Sequence, residues 1–450
     1  MNQTHDQGEG LVQGWVSDPI ARGSASIIWS SFLAIFLCTW TTLCLNVPHP
    51  NESDTRILLR KAKWMLWGIF MPEVVLSVAI GQYASAQRSV QRFRDLGHPG
   101  WTLRHAFFAD MGGLLVQPNN DSAPFLVNNT QLAFLIKKQY LECPRITTEE
   151  IWDRSKADFL SKTLAFLQAS WLAFQVLGRS IAGLPATALE LFACAIVICT
   201  LGNFICWLHK PNDVRKAIIL NAGFSLEKIV SENADAAAAF PQYATKRSNE
   251  KKSAQSHKSV VQRLFRISQD NGDQQLQRFT NDTYPELNTT QKLAFFCLGK
   301  GFAACHLAAW NSRFPTKIEL YGWRIASSVV LGASLVLWAF EVLVFQPDQY
   351  TWDKYLNPLR YREVSINDIS TTMEHGKSVH IDTETVATGP KKGKNDGSFY
   401  PLVKPVIRAI LVPPYVVARL FLVVEALISL RALPCGAYQT LSITDLFAVH

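Results

Sequence analysis

The chain has 450 residues, 48% of them hydrophobic and 18% charged, with a formal net charge of +8 and nine cysteines. No Gly-rich phosphate loop, zinc-finger spacing or aromatic–basic RNA motif accompanies the positive charge, so nucleic acid is not an expected partner. The cysteine count is odd, no CxxC occurs and most cysteines lie in apolar runs, which argues against a disulfide framework, a metal site or any other cofactor.

Apolar residues are gathered into blocks of about the 20 residues that cross a bilayer core. Residues 1–26 are polar and lack the basic start and apolar centre of a signal peptide. Ile27–Leu45, free of charge, is therefore expected to be both first span and signal anchor. Asp6, Glu9 and Asp18 outweigh Arg22 before it, and Arg56, Arg60, Lys61 and Lys63 follow. That asymmetry puts the amino terminus outside and the next loop in the cytoplasm. Lys63–Ile80 is apolar but carries Pro72 and Glu73 mid-run. It reads either as a surface or re-entrant helix pair bent at Pro72, or as a broken span whose freed backbone groups line a site.

Trp101 to Gly113 predicts an amphipathic helix over 101–112, capped by Thr102, stopped by Gly112 and lying at the headgroups. Trp101, His105 and Phe108 would share its face. Asp110 is five residues from His105, so the two do not form a local catalytic dyad. Thr147 to Glu150 reads as a capping box, predicting one helix from Thr148 through Leu177, amphipathic over 148–158 and embedded in the membrane beyond. Two further boxes, Thr187 with Glu190 and Thr316 with Glu319, each follow a proline and open a long apolar run. They mark the short turns of two transmembrane hairpins, both on the same side of the membrane.

Residues 209–292 and 346–405 are polar and Lys-rich and are expected to be mostly disordered cytoplasmic loops. Leu293–Trp310 holds Lys300 and His306 among small residues, Gly299, Gly301, Ala303 and Ala304. Small residues permit close helix approach, so this is expected to be the innermost helix. Trp323–Phe345 carries Arg324 and Glu341 near its ends, where charges can snorkel. Val406–Leu430 contains Pro413-Pro414, Arg419 and Glu425. A helix from about Pro414 would put Glu425 and Ser429 on one face and Arg419 on another; it reads as a span with both charges paired inside the bundle, the alternative being an amphipathic helix lying at the surface.

The expected fold is an all-α, polytopic transmembrane helix bundle with disordered cytoplasmic loops. Six spans fall near 27–45, 159–178, 190–208, 293–310, 321–345 and 406–430; a seventh is added if 63–80 crosses. The chain then divides into a polar extracellular stretch 1–26, a first membrane half 27–208, a loop 209–292, a hairpin 293–345, a loop 346–405 and a final span and tail 406–450. With six crossings both termini are outside, and the protein resides in a eukaryotic plasma membrane or endomembrane.

Several stretches resemble an uncharacterised family of fungal multi-pass integral membrane proteins. They are Leu45-Asn46-Val47-Pro48, Lys63-Trp64-Met65, Pro72-Glu73, Trp101-Thr102 with His105 through Gly113, Leu184-Pro185 to Leu191, and Lys210-Pro211. His306 with Trp310-Asn311, Phe314-Pro315-Thr316, Trp323-Arg324, Ala418-Arg419-Leu420 and Arg431-Ala432-Leu433-Pro434 extend the likeness over most of the chain outside the two loops. The resemblance implies a membrane protein and supplies no activity and no catalytic residues.

Glu73, Lys300, His306, Arg419 and Glu425 at or near membrane depth point to a channel or transporter, since charge there is expensive and functional by default. The alternative is a signalling or scaffold protein whose cytoplasmic loops bind protein partners. An enzyme is not expected: His105, Asp110 and His306 are the acid–base candidates, and no HExxH, GxSxG or paired-carboxylate motif supports them.

Overall fold

The computed structural model describes residues 10–18, 22–49, 52–118, 124–155, 159–224, 229, 240, 287–343 and 400–440. Most of both stretches read as disordered loops lies outside the described residues. In chain order the elements are β1 (Leu11–Gln13), α1 (Ser24–Thr41), α2 (Asp54–Phe70), α3 (Pro72–Asp95), α4 (Leu103–Asp110), β2 (Leu114–Gln117) and β3 (Phe125–Leu126). There follow α5 (Asn129–Lys137), α6 (Thr148–Asp153), α7 (Phe159–Ile181), α8 (Ala188–Cys206), β4 (Ile218–Asn221), α9 (Thr289–Leu307), α10 (Lys317–Leu343), α11 (Tyr400–Ile428) and β5 (Ala432–Pro434). Two compact units result: Met1–Leu331 together with Val417–His450, and Gly332–Val416, which holds the distal part of α10 and the first part of α11.

The protein is mostly helical, but it is not all-α. β1 pairs antiparallel with β5, and a three-stranded sheet in the order β3–β2–β4 has β4 parallel to β2. The start of the segment 209–292, read as loop, is thus ordered at Ile218–Asn221. Asn288 within it caps α9, its side chain accepting from Gln291 N while Gln291 Oε1 accepts from Asn288 N.

Among the described residues, four helices are long and apolar enough to cross a membrane: Ser24–Thr41, Ala188–Cys206, Lys317–Ala339 and Ala409–Arg431. The bent pair α2–α3 makes a fifth if it counts as one span. Large apolar side chains face outward along these helices and along α7: Trp29 and Phe32 on α1, Leu164, Trp171 and Leu177 on α7, Ile325 on α10, Val417 and Val424 on α11. Contiguous apolar surface of that kind needs a covering in water.

α8 is the innermost of these helices, largely buried, apolar all round, and packed against α1, α3, α7 and α9. The small residues of α9 had pointed to α9 instead; much of its surface, including Leu293 and Cys297, is exposed. Smallness is spent on one contact: Gly301 of α9 lies against Ile198, while Gly202 of α8 leaves room for Leu76 and Leu298.

Contacts define two ends of the first unit. At one, Leu11 faces Pro434 in the β1–β5 pair, Arg22 pairs with Glu190 at the start of α8, and Arg431 after α11 pairs with Glu319 at the start of α10. Both capped turns therefore sit at this end, as their matching sequences predict. Asp18 opens α1 there, accepting from Gly23 N (2.5 Å) and Ser26 N (3.2 Å). At the other end lie Asn46 after α1, Lys162 at the start of α7, Lys210 after α8, helices α4–α6 and the three-stranded sheet. α2 begins there too: Asp54 pairs with Arg215, and Lys61 with Asp213 at 3.2 Å.

Three predicted helices are redrawn. The stretch 148–177 is two helices, α6 and α7, Thr147 capping the first through Glu150 N. α11 runs from Tyr400 straight through Pro413-Pro414, although each proline removes one backbone donor. α4 does not lie on a surface: His105, Ala106, Phe107, Phe108 and Ala109 are all buried. Its second face is made of alanines, which pack in the protein but read as neutral in sequence. Gly112 at φ +86° turns the chain out of α4, and Gly113 N reaches Phe108 O at 2.8 Å.

Candidate functional site at the break in the α2–α3 pair

Pro72 has no N–H to continue a helix and disfavours helical geometry in the residue before it. α2 accordingly stops at Phe70, Met71 adopts φ −142°, ψ 62°, and α3 leaves from Pro72 with the two axes bent by 112°. A helix stopped at such a break leaves carbonyls without intrahelical partners. Arg419 of α11, 1% exposed, supplies them: its Nε donates to Phe70 O at 3.1 Å and its Nη2 to Ile69 O at 3.4 Å. A cation at a helix carboxyl end also meets the negative pole of the helix dipole.

Arg419 Nη1 lies 3.0 Å from Nε2 of His306, which is fully buried in α9. His306 Nδ1 lies 3.0 Å from Phe302 O. The two contacts fit a neutral ring protonated on Nδ1 that donates to the carbonyl and accepts from the guanidinium. Phe302 and Phe192 face the guanidinium at 4.4 and 5.6 Å from their ring centres. Trp323 of α10, also fully buried, closes the back of the site by donating Nε1 to His306 O at 2.8 Å.

Five residues were expected at membrane depth. Two of them, His306 and Arg419, meet directly. Glu73 opens α3 next to the break, and Lys300 of α9 lies within its electrostatic reach. Glu425 is 4% exposed but belongs to the end of α11, near Glu319 and Arg431, and does not pair with Arg419. Arg419 thus finds its partner across the bundle, in a contact from α11 to α9.

The other candidates do structural work. His105 is the third-residue partner of Thr102 in a capping box, its Nδ1 2.8 Å from Thr102 Oγ1, while Nε2 reaches Ile146 O at 2.8 Å. Trp101 stacks on Phe93 with centroids 4.2 Å apart. Asp110 accepts from Ser85 Oγ at 2.9 Å and Asn129 N at 3.1 Å, fixing α5 to α3. Thr187, Glu190, Thr316 and Glu319 form their boxes, Thr187 N to Glu190 Oε2 at 2.9 Å and Thr316 N to Glu319 Oε2 at 3.2 Å.

Two further cations are buried, although a basic residue at a helix end reads in sequence as interfacial. Arg179, at the end of α7, donates to the carbonyls of Pro185, Gly436 (2.7 Å) and Gln439 (2.8 Å). Lys210, 3% exposed, donates to Gln82 Oε1 at 2.8 Å and Asn46 Oδ1 at 3.1 Å, with Trp207 Nε1 sharing the Gln82 oxygen. Burial lowers the Lys210 pKa to about 8; Cys44 and Asp110 oppose the shift and Lys162 adds to it. Below about pH 8 the amine is charged in both folded and unfolded chain, and the desolvation penalty is present in full. Between about 8 and the ordinary 10.5 only the unfolded chain stays protonated, so stability rises with pH by about 3 kcal/mol in all. The stability difference between wild type and Lys210→Met, measured by denaturation across that window, is expected to shift in favour of wild type by about that amount. A difference independent of pH would remove the argument.

Together these features define a mostly helical protein with four helices, among the described residues, apolar enough to cross a membrane and a broken helix pair locked by a buried arginine. The chain belongs to a family of unknown function (DUF8562), which it matches over residues 3–233, just over half its length. The match takes in Glu73, Trp101, His105, Asp110, the Thr187–Glu190 box and Lys210, and ends before α9, so Lys300, His306, Arg419 and Glu425 lie outside it. No curated protein and no solved structure matches the chain.

Proposed function

We propose that this is a multi-pass membrane protein that moves a small solute or ion, with α1, α7, α8, α9, α10 and α11 crossing the bilayer. The alternation of ends supports six crossings. α1 and α8 leave the end that holds the capped turns, α7 and α11 finish there, and α10 begins there. The outward apolar stripe of α7 supports its crossing. The α2–α3 pair is re-entrant in this reading: Lys61 and Gln82, on its two arms, both meet partners near the end of α8. Both termini are then extracellular or lumenal, and the basic loops face the cytoplasm.

The observation that carries transport is the break itself. Helices interrupted at membrane depth, with freed carbonyls and charged side chains gathered around them, are how many carriers build a site. Purified protein in liposomes is expected to pass an ion or solute, and His306→Leu to cut the flux at least tenfold while the protein stays monodisperse. Well-folded wild type that moves nothing across a broad panel of ions and solutes would sink the reading.

One observation favours a second reading, a permanent structural lock. Both His306 ring nitrogens and three Arg419 nitrogens already have partners inside the protein. On that reading His306→Leu lowers thermal stability and wild type carries no flux.

A further inference from the structure

Where α8 ends, a small cleft of about 30 Å³ lies between α4, α6, α7 and the turn that follows α8. Arg104, Lys162, His209 and Lys210 line it, brought from three separate stretches of chain. Arg104 and Lys162 are half-buried and His209 is exposed, so two cations and an imidazole border the opening. Arg104 rests on the ring of Trp152 at 4.6 Å, and Lys162 Nζ donates to the thiol of Cys44 at 3.4 Å. The carboxylates nearby are engaged elsewhere or lie to one side: Glu150 pairs with Arg154, Asp110 binds Ser85 and Asn129, and Glu149 acts on Arg104 from the start of α6. The balance at the opening is positive.

What surrounds the cleft identifies the anion. The volume holds about two water-sized atoms, enough for oxygens that enter from the open side but not for an enclosed metabolite. Leu208 and Ile205 are exposed at the end of α8, and Leu164 and Leu167 at the start of α7. The cations therefore sit where two outward apolar faces begin, with Trp152 beside them, an arrangement proper to the headgroup level of a bilayer. We propose that this cleft binds the phosphate of an anionic phospholipid whose acyl chains lie along the outward faces of α7 and α8. A soluble anion would leave those apolar flanks unused. The inference rests on the membrane reading given above and is independent of transport; on that orientation the cleft faces the cytoplasmic leaflet, where anionic lipids are concentrated.

The test is native mass spectrometry of the full-length protein in detergent, titrated with phosphatidylserine and with phosphatidylcholine. Wild type is expected to retain phosphatidylserine preferentially, and Arg104→Gln with Lys162→Gln to weaken it about tenfold. Lys317→Gln, at the opposite end, should leave it unchanged. His209→Glu, on an exposed side chain, is expected to weaken binding as well, so the result does not hang on the double variant folding. Unchanged affinity in the variants overturns the proposal, as does inorganic phosphate binding to the same residues with no retained phosphatidylserine. Release of the protein from membranes by alkaline carbonate would overturn the membrane reading itself; wild-type protein that stays in the membrane but shows no preference for phosphatidylserine over phosphatidylcholine overturns the cleft alone.

Discussion

Arg419→Leu is expected to lower the stability of the protein by about 3 kcal/mol, seen as a fall of several degrees in thermal unfolding followed by tryptophan fluorescence in detergent. The size follows from what the guanidinium touches. Two carbonyls, Ile69 O and Phe70 O, lose their donor at a half-buried helix end. An orphaned buried acceptor costs about 1–3 kcal/mol, and the contacts with Phe302 and Phe192 go too. Relief from burying a charge offsets part of the loss. Arg419→Lys separates charge from geometry. An ammonium keeps the charge but cannot reach two carbonyls and His306 Nε2 from one plane, so it is expected to recover less than half of the loss. Full recovery by lysine would mean that charge at the end of α2, and not the planar fork, holds the break. A change within about half a kcal/mol for Arg419→Leu would mean that the break is held by packing alone.

That node explains which parts of the molecule could be read from the sequence. Local rules fixed the break at Pro72, the caps at Thr187 and Thr316, the stop at Gly112 and the uncharged apolar helix α1, because each depends on residues within four positions. The node depends on chain positions 113 and 349 residues apart, the separations of His306 and Phe70 from Arg419. Helix arithmetic placed Arg419 and Glu425 on different faces of α11 but could not say which helix each face would meet. The same limit hid β4, which is a strand only because Leu114–Gln117 lies alongside it. It also hid the burial of Lys210, whose partners Asn46, in the segment after α1, and Gln82 of α3 are far away in the chain. The site was half legible: its residues were named, and its pairings were not.

The two capping boxes give the sharpest contrast between motif and context. Glu190→Ala is expected to cost about 3–5 kcal/mol, and Glu319→Ala about 1 kcal/mol or less, although the sequences around them match. Glu190 is fully buried, accepts from both Thr187 N and Thr187 Oγ1 at 2.9 Å, and pairs with Arg22, itself largely covered. Removing it leaves a buried cation and two donors without their acceptor, the circumstance in which losing one member of an ion pair costs most. Glu319 pairs with Arg431, which is 47% exposed on its side chain, so water replaces much of what is lost and only an ordinary cap is removed. A double-mutant cycle tests the assignment. Arg22→Met added to Glu190→Gln removes the stranded charge and should recover part of the loss; Arg431→Met added to Glu319→Gln should recover almost nothing. Equal losses at the two boxes would show that the capping geometry, which they share, sets the energy, and that burial, which separates them, does not.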